Sequence, residues 1–413
     1  MSILNEFKKD KAYFFTFITI SFLPIILLAG SAAINLAIII IDVFVLYKLF
    51  VSKNFSYLNN KYFYLLIIFW IYLIINLFFS ISFENSFPRS IGFIRFIIFT
   101  FAVKYFFFKN NNILTKYVLN IWTLIFFIVS IDLIYEFIYG ANSLGFVSYM
   151  PGRLSGFLNQ ELKIGHFYSA FILICLINIY QYFFKLDDKF SIIYKLRKYI
   201  FYVLLILFLF ISLIIGERSN FLKVFLMIIP FLFLIERGNN LKKILSILIA
   251  ITFISITVSN IPYYKHRIWG MFLSPLLNNP IELISNSSYG KHYQVAIEIF
   301  KNNKLVGVGL RGYRLEAKNE KYDKDHSLHP HQTHFEIISE LGIVGYLLFI
   351  SIFFFIINNS IKYYLRNRKN LHLSGLLFVL ITLVPIIPSG SFFTTFGATL
   401  FWLNFSFILP TKN

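Results

Sequence analysis

Apolar residues dominate this chain in long runs, broken by short polar stretches. A bilayer crossing needs about 20 mostly apolar residues, and the pattern predicts about a dozen: 12–29, 32–51, 62–80, 90–108, 117–138, 164–184, 199–215, 220–235, 244–259, 333–357, 373–387 and 391–409. Two polar stretches are longer than the rest, 139–163 and 260–332. Within the second, Val295, Ile299 and Phe300 recur at helical spacing, so 289–302 reads as an amphipathic helix lying against the membrane domain. The expected fold is an all-α integral membrane protein of about 12 transmembrane helices. Its large, partly helical loop lies between spans 9 and 10. Residues 1–259 then carry spans 1–9, 260–332 the loop, and 333–413 spans 10–12.

Composition agrees with this class. The 413 residues are 58% hydrophobic and 14% charged, against about 25% charged in soluble domains. Phe and Tyr are abundant alongside Ile, Asn and Lys, as an AT-rich coding bias would give, so aromatic weight alone carries no functional reading. The formal charge of +19 does not point to nucleic acid, because the basic residues cluster in alternate short loops. Those loops hold Lys53 and Lys61, then Lys109 and Lys116, then Lys185, Lys189, Lys195, Arg197 and Lys198. Arg237, Lys242 and Lys243 follow, then Lys362, Arg366, Arg368 and Lys369. Cytoplasmic loops are rich in Lys and Arg. With Lys8, Lys9 and Lys11, the pattern predicts both termini inside and the two long loops outside. The N-terminal run resembles a secretory signal, but a second apolar run follows at once, which favours an uncleaved signal-anchor. Cys175 is the one cysteine, so no disulfide forms within the chain.

Half of the eight histidines fall in 326–334, where the large loop meets an apolar run. Histidine moves protons near neutral pH, so His331 is the candidate general base, with His329 orienting it or relaying the proton. A loop-to-helix cap is the plain structural alternative. A His-x-His pair can ligate metal, but zinc sites use three or four ligands and no third is apparent, so neither metal nor cofactor is expected. The charge-poor outer side gathers Arg153, Arg218, Arg311 and Arg314, and guanidinium groups grip phosphates bidentately. For Arg218 snorkelling to lipid headgroups is the plain alternative, and its place in a tight Gly-Glu-Arg-Ser turn on the charge-poor side favours function. Gly307 and Gly309 mark a tight turn that could offer backbone N–H groups to a phosphate. Inside the spans lie Asp42, Arg95, Asp132 and Glu136. Asp132 and Glu136 share a helix face and could hold Arg95, as an ion pair that locks helices.

The stretch His329-Pro-His-Gln-Thr-His-Phe-Glu-Ile-Ile-Ser-Glu-Leu-Gly-Ile-Val-Gly345 resembles the His-Pro-His-Asn-x-Tyr-Leu-Gln…Glu-x-Gly-x-x-Gly segment of the bacterial O-antigen ligase and polymerase superfamily, with Glu340, Gly342 and Gly345 in place. Phe300-Lys-Asn-Asn-Lys-Leu-Val-Gly-Val-Gly309 resembles the segment before it. Gly216-Glu-Arg218-Ser resembles the turn carrying the family's outer-face arginine, and Arg153 to Gly156 gives a looser match. Gln332 and His334 replace the family's Asn and Tyr, the large loop lacks cysteines, and Lys291 and His292 stand nearest the family's early loop arginine. The resemblance implies a metal-independent glycosyltransferase in the bacterial inner membrane with its active site on the periplasmic face. Its donor would be a glycan on undecaprenyl pyrophosphate. The acceptor is lipid A–core oligosaccharide for a ligase, or another lipid-linked repeat for a polymerase. Apolar helices would groove the polyprenyl tail among membrane lipids. A secondary transporter would instead show paired repeats and broken mid-membrane helices. A nonenzymatic flippase partner or scaffold would tolerate changes at the His and Arg positions.

Overall fold

The computed structural model describes residues 11–410 except 54, 110–111, 160, 185–191, 236–239, 281–284, 286 and 323–325. Of the residues used in the charge pattern, Lys8, Lys9, Lys185, Lys189 and Arg237 lie outside the described set. Among the described residues the protein is helical, with no strand.

In chain order the helices are α1 (Lys11–Ser21), α2 (Leu23–Leu28), α3 (Ser31–Val51), α4 (Lys61–Leu77), α5 (Phe83–Gly92), α6 (Ile94–Lys109), α7 (Asn112–Tyr139), α8 (Ile164–Phe184), α9 (Ile192–Ile214), α10 (Arg218–Ile235) and α11 (Asn240–Asn260). A run of short helical turns over 262–278 follows. Then come α12 (Ser288–Asn302), α13 (Gly312–Glu316), α14 (Thr333–Asn367), α15 (Asn370–Thr382) and α16 (Thr395–Ile408).

Among the described residues, seven helices are long and apolar enough to cross a membrane: Ser31–Val51, Phe83–Phe107, Leu114–Tyr139, Ile164–Phe183, Arg218–Ile235, Asn240–Asn260 and Thr333–Asn367. Lys61–Leu77, Tyr199–Ile214, Asn370–Thr382 and Thr395–Ile408 are apolar but shorter. The dozen expected spans differ from this for local reasons. The first run divides between α1 and α2, with Pro24 in the first turn of α2. The run 373–387 stops being helical at Thr382, just before Val384-Pro-Ile-Ile-Pro388, since the residue before a proline is pushed out of the helical region. The protein is thus an all-α, multi-pass membrane protein.

Contacts divide the chain into two units. The first comprises Met1–Ala37, Asn110–Met271 and Arg368–Ile381; the second comprises Ile38–Lys109, Phe272–Asn367 and Thr382–Asn413.

In the first unit, α7 packs on α8, α8 on α9 and α10, and α1 on α7. Trp122 Nε1 donates to the Ile20 carbonyl at 2.8 Å, and the Phe126 ring meets Tyr168 and Phe208 at 4.5 and 5.1 Å. Asp132 and Glu136 are buried, and they hold the loop after α7. Asp132 Oδ1 accepts from Ser143 N at 2.9 Å and Ser143 Oγ at 2.5 Å. Glu136 accepts from the N–H groups of Ser155 and Gly156 at 2.9 and 2.7 Å. A buried backbone N–H without a partner is costly, and these carboxylates meet that need for a non-helical loop.

In the second unit, aromatic side chains make the core. Trp402 meets Phe93 at 5.6 Å, Phe392 meets Phe401 at 4.9 Å, and Phe353 meets Phe405 at 5.3 Å. Buried rings of this size dominate core energetics. Arg95 has Asp42 as its opposite charge, bonds its own Gly92 carbonyl at 3.0 Å and covers the Phe96 ring. The expected amphipathic helix is α12, which buries Val295, Ala296 and Ile299 against Val308, Tyr313 and Ala317. The Ser287 side chain caps it by accepting from Gly290 N at 3.0 Å.

Candidate functional site

Helix α14 carries the site in the second unit. Gln332 starts it: its side-chain oxygen accepts from His334 N at 2.6 Å and Phe335 N at 3.2 Å. These are the orphan donors of a first helical turn. At Gly342 the helix breaks, with φ 66° and ψ −171°. The break frees the carbonyls of Ser339 and Glu340 and the amides of Ile343 and Val344. All four find partners in one neighbouring strip. Val308 N donates to Ser339 O at 3.1 Å and Gly309 N to Glu340 O at 2.8 Å, while Ile343 N and Val344 N donate to the carbonyls of Lys304 and Leu305 at 2.8 and 3.2 Å.

Gly307 and Gly342 permit this backbone-to-backbone contact, and the other motif glycines make room for close neighbours. A Cβ on Gly307 would stand 2.5 Å from the Glu340 carbonyl group and 2.6 Å from Gly342 N. One on Gly342 would strike the Leu305 carbonyl, one on Gly309 Ser80, and one on Gly345 the Tyr72 ring. The phosphate-nest reading of this turn does not hold, because its amides are already bonded: Gly307 N donates to Asn303 O at 3.0 Å, and those of Val308 and Gly309 are spent on α14. Tyr72 Oη and Asn76 Nδ2 of α4 brace the junction, donating to Leu341 O at 2.7 Å and Val306 O at 2.6 Å.

The histidines stand just before this helix. His331 has a left-handed backbone, φ 54°, and its carbonyl accepts from Ser389 N at 2.6 Å. Its Nε2 lies 3.2 Å from Ser327 Oγ. Ser327 is itself fixed, its N–H donating to His292 Nδ1 at 3.0 Å. With Nε2–H donated to the serine hydroxyl, Nδ1 of His331 presents a lone pair, and that atom has no partner among the described residues. His329 stacks on His331 with ring centres 4.8 Å apart and 21° between planes. His329 Nδ1 accepts the His331 N–H at 2.7 Å, so neutral His329 carries its proton on Nε2, a buried donor without a partner.

Burial makes all three rings poor proton holders at neutral pH. His331 falls to about 4, from burial first and then His329. His292 also falls to about 4, from burial, His331 and His326. His329 falls to about 3, from burial, Arg89 and His292. Each is therefore neutral near pH 7, and neutral imidazole is the basic form.

A strap over 383–394 closes against the start of α14. Glu336 accepts from Ser391 Oγ and, at 2.7 Å, from Phe392 N. His334 Nε2 meets Leu383 O at 2.8 Å, and Thr333 Oγ1 meets Ser389 Oγ at 3.1 Å. Glu340 is buried facing the backbone amides of Arg311 and Tyr313. Arg311 is half-buried with φ 65°, directly before α13, and Arg314 is exposed. The sequence reading missed Arg89, Ser327 and the strap. Arg89 lies in α5, and its field reaches His329, Glu336, Glu340 and Arg311. Its signal was an arginine behind Pro88 at the charge-poor end of a span.

The first unit holds the other two arginines. Arg153 Nη2 donates to Leu162 O at 3.3 Å and pairs with Glu217 at 3.8 Å. Burial raises the Glu217 carboxyl, opposed first by Arg153. Glu217 also accepts from Gly165 N at 3.0 Å and from Asn220 Nδ2. Arg218 opens α10 and donates to the Arg267 carbonyl at 3.3 Å.

Among curated proteins, none matches the chain. A family model described as O-antigen ligase matches residues 201–350, the stretch from α9 through the glycine turn and the histidines to the first part of α14. Over this stretch the chain is similar to the O-antigen ligase family.

Proposed function

We propose that this protein transfers a glycan from a polyprenyl diphosphate carrier to a hydroxyl acceptor, with His331 as general base. The observation that carries this reading is the neutral, oriented His331: held through Ser327 on Nε2, it leaves Nδ1 for an incoming hydroxyl. In the reaction, the acceptor oxygen attacks the anomeric carbon and its proton passes to Nδ1. The bond from the anomeric carbon to the diphosphate oxygen breaks, and that oxygen keeps the electron pair. Fixed cationic donors stabilise such developing charge without reorganising. In this reading the outer-side arginines Arg153, Arg218, Arg311 and Arg314 are the candidates for diphosphate contact, Arg218 matching the family's outer-face arginine, with chemistry that needs no metal. The donor in this reading is undecaprenyl pyrophosphate on the periplasmic side, and the acceptor is lipid A–core oligosaccharide.

The test is product analysis. Purified protein is given glycan-loaded undecaprenyl pyrophosphate and lipid A–core, with EDTA present. Glycan joined to the core is the expected product. Lengthening of the glycan on its carrier would make the protein a polymerase with the same chemistry. No transfer to either acceptor would refute the reading.

A pH profile adds a second check. The base works when neutral, so activity is lost as pH falls through its folded pKa. With His331 depressed to about 4, kcat/KM should stay flat from about pH 8 down to about pH 5 and fall with a midpoint near 4. An acid limb centred near 6.5, the ordinary histidine value, would contradict the buried, neutral base.

A further inference from the structure

Arg89 is the cation that the second unit places near the histidines without a contact ion pair among the described residues. Helix α5 is fastened to the 308–311 turn at two points: Ile81 N donates to Val308 O at 3.1 Å, and Ser86 Oγ donates to Leu310 O at 2.8 Å. Arg89 follows Ser86 by three residues, which puts both on one helix face. That face therefore meets the turn that ends in Arg311.

The nearby carboxylates Glu336 and Glu340 feel the charge of Arg89 but make no contact ion pair with it. Glu336 is taken up by Ser391 and Phe392, and Glu340 faces backbone amides of Arg311 and Tyr313. Arg89 is half-buried and makes no hydrogen bond or ion pair among the described residues. Next to it, the unpartnered Nε2–H of His329 is a further donor lacking an acceptor. Two guanidinium groups without a contact ion pair among the described residues, and a neutral imidazole donor, suit a ligand that brings several anionic oxygens.

We propose that Arg89, together with Arg311, binds a diphosphate, with His329 as a neutral positioning residue behind it. This rests on the transferase reading, in which that diphosphate is the leaving group of the donor. A guanidinium fork spans two phosphate oxygens, which an ammonium does not. The same chemistry would also attract a phospholipid headgroup, so the test separates the two.

The test measures binding of farnesyl diphosphate, farnesyl monophosphate and phosphatidylglycerol to the purified full-length chain, for wild type, Arg89→Gln and Arg89→Lys. Arg89→Gln should weaken farnesyl diphosphate on the order of ten- to hundredfold, with phosphatidylglycerol binding unchanged. Arg89→Lys should recover only part of the loss. Wild-type diphosphate binding in Arg89→Gln would overturn the proposal. So would equal losses for diphosphate and phosphatidylglycerol, which would make Arg89 a general headgroup contact. If Arg89→Gln does not fold, Arg89→Lys decides, and wild-type affinity there would overturn the proposal. Should wild type transfer no glycan while Arg89→Gln still loses diphosphate binding, the transferase reading falls and the diphosphate site stands.

Discussion

Gly307→Ala is expected to destabilise the second unit by on the order of 4 kcal/mol and to abolish activity. Two costs add. The backbone at Gly307 has φ 69°, and holding a residue with a side chain in that region costs about 1–2 kcal/mol. The new Cβ would then overlap the backbone of Glu340 and Gly342, where no side-chain rotation can relieve it, and overpacking of a fixed neighbour costs roughly another 1–3 kcal/mol. The overlap pushes 304–309 away from α14 and endangers the four backbone bonds that repair the Gly342 break. Unfolding of the purified protein in detergent measures the effect. Gly140→Ala is the control: its φ is 79° but nothing lies within 4 Å of the added carbon, so only the conformational cost remains. Equal stability of the two variants would remove the close-approach explanation for the glycine motif.

His331→Ala is expected to leave the fold intact and to slow transfer by roughly 10²–10⁴-fold, the usual worth of a placed general base. That is about 3–5.5 kcal/mol of transition-state free energy. The fold should survive because the structural bonds at this position are made by backbone atoms: its N–H to His329 Nδ1 and its carbonyl from Ser389 N. The side chain has one hydrogen bond, to Ser327 Oγ. His331→Gln offers a polar group of related reach without a basic nitrogen, so it should be as slow as alanine. A glutamine variant near wild-type rate would show that shape rather than basicity matters.

Much of this site was legible because its signals are local. Gln332 begins a helix where Pro330 ends extended chain, the glycines at 307 and 342 mark where backbone meets backbone, and those at 309 and 345 make room for Ser80 and the Tyr72 ring. The amphipathic spacing of Val295 and Ile299 foretold α12. What the sequence hid depends on distant partners. Tyr72 bonds Leu341, Asn76 bonds Val306 and Ser86 bonds Leu310, each across more than two hundred residues. No periodicity reports such pairings. Arg89 was hidden for the same reason: α5 joins an apolar run directly, and its role follows from the turn it touches. Asp132 and Glu136 were misread because a buried carboxylate in a span suggests a cation, whereas here it meets the amides of a loop. Span boundaries were less legible where apolar composition outlasts the helix, as at Thr382, because a proline can stop a helix inside an apolar run.

The most direct test of the central claim is the rate of glycan release from undecaprenyl pyrophosphate onto an acceptor hydroxyl, measured with purified wild type and His331→Ala at pH 7. The account predicts steady transfer by wild type and a loss of at least about a hundredfold in the variant, with both proteins equally folded. Transfer by His331→Ala at the wild-type rate would contradict it and return the histidine stretch to a structural role at the start of α14.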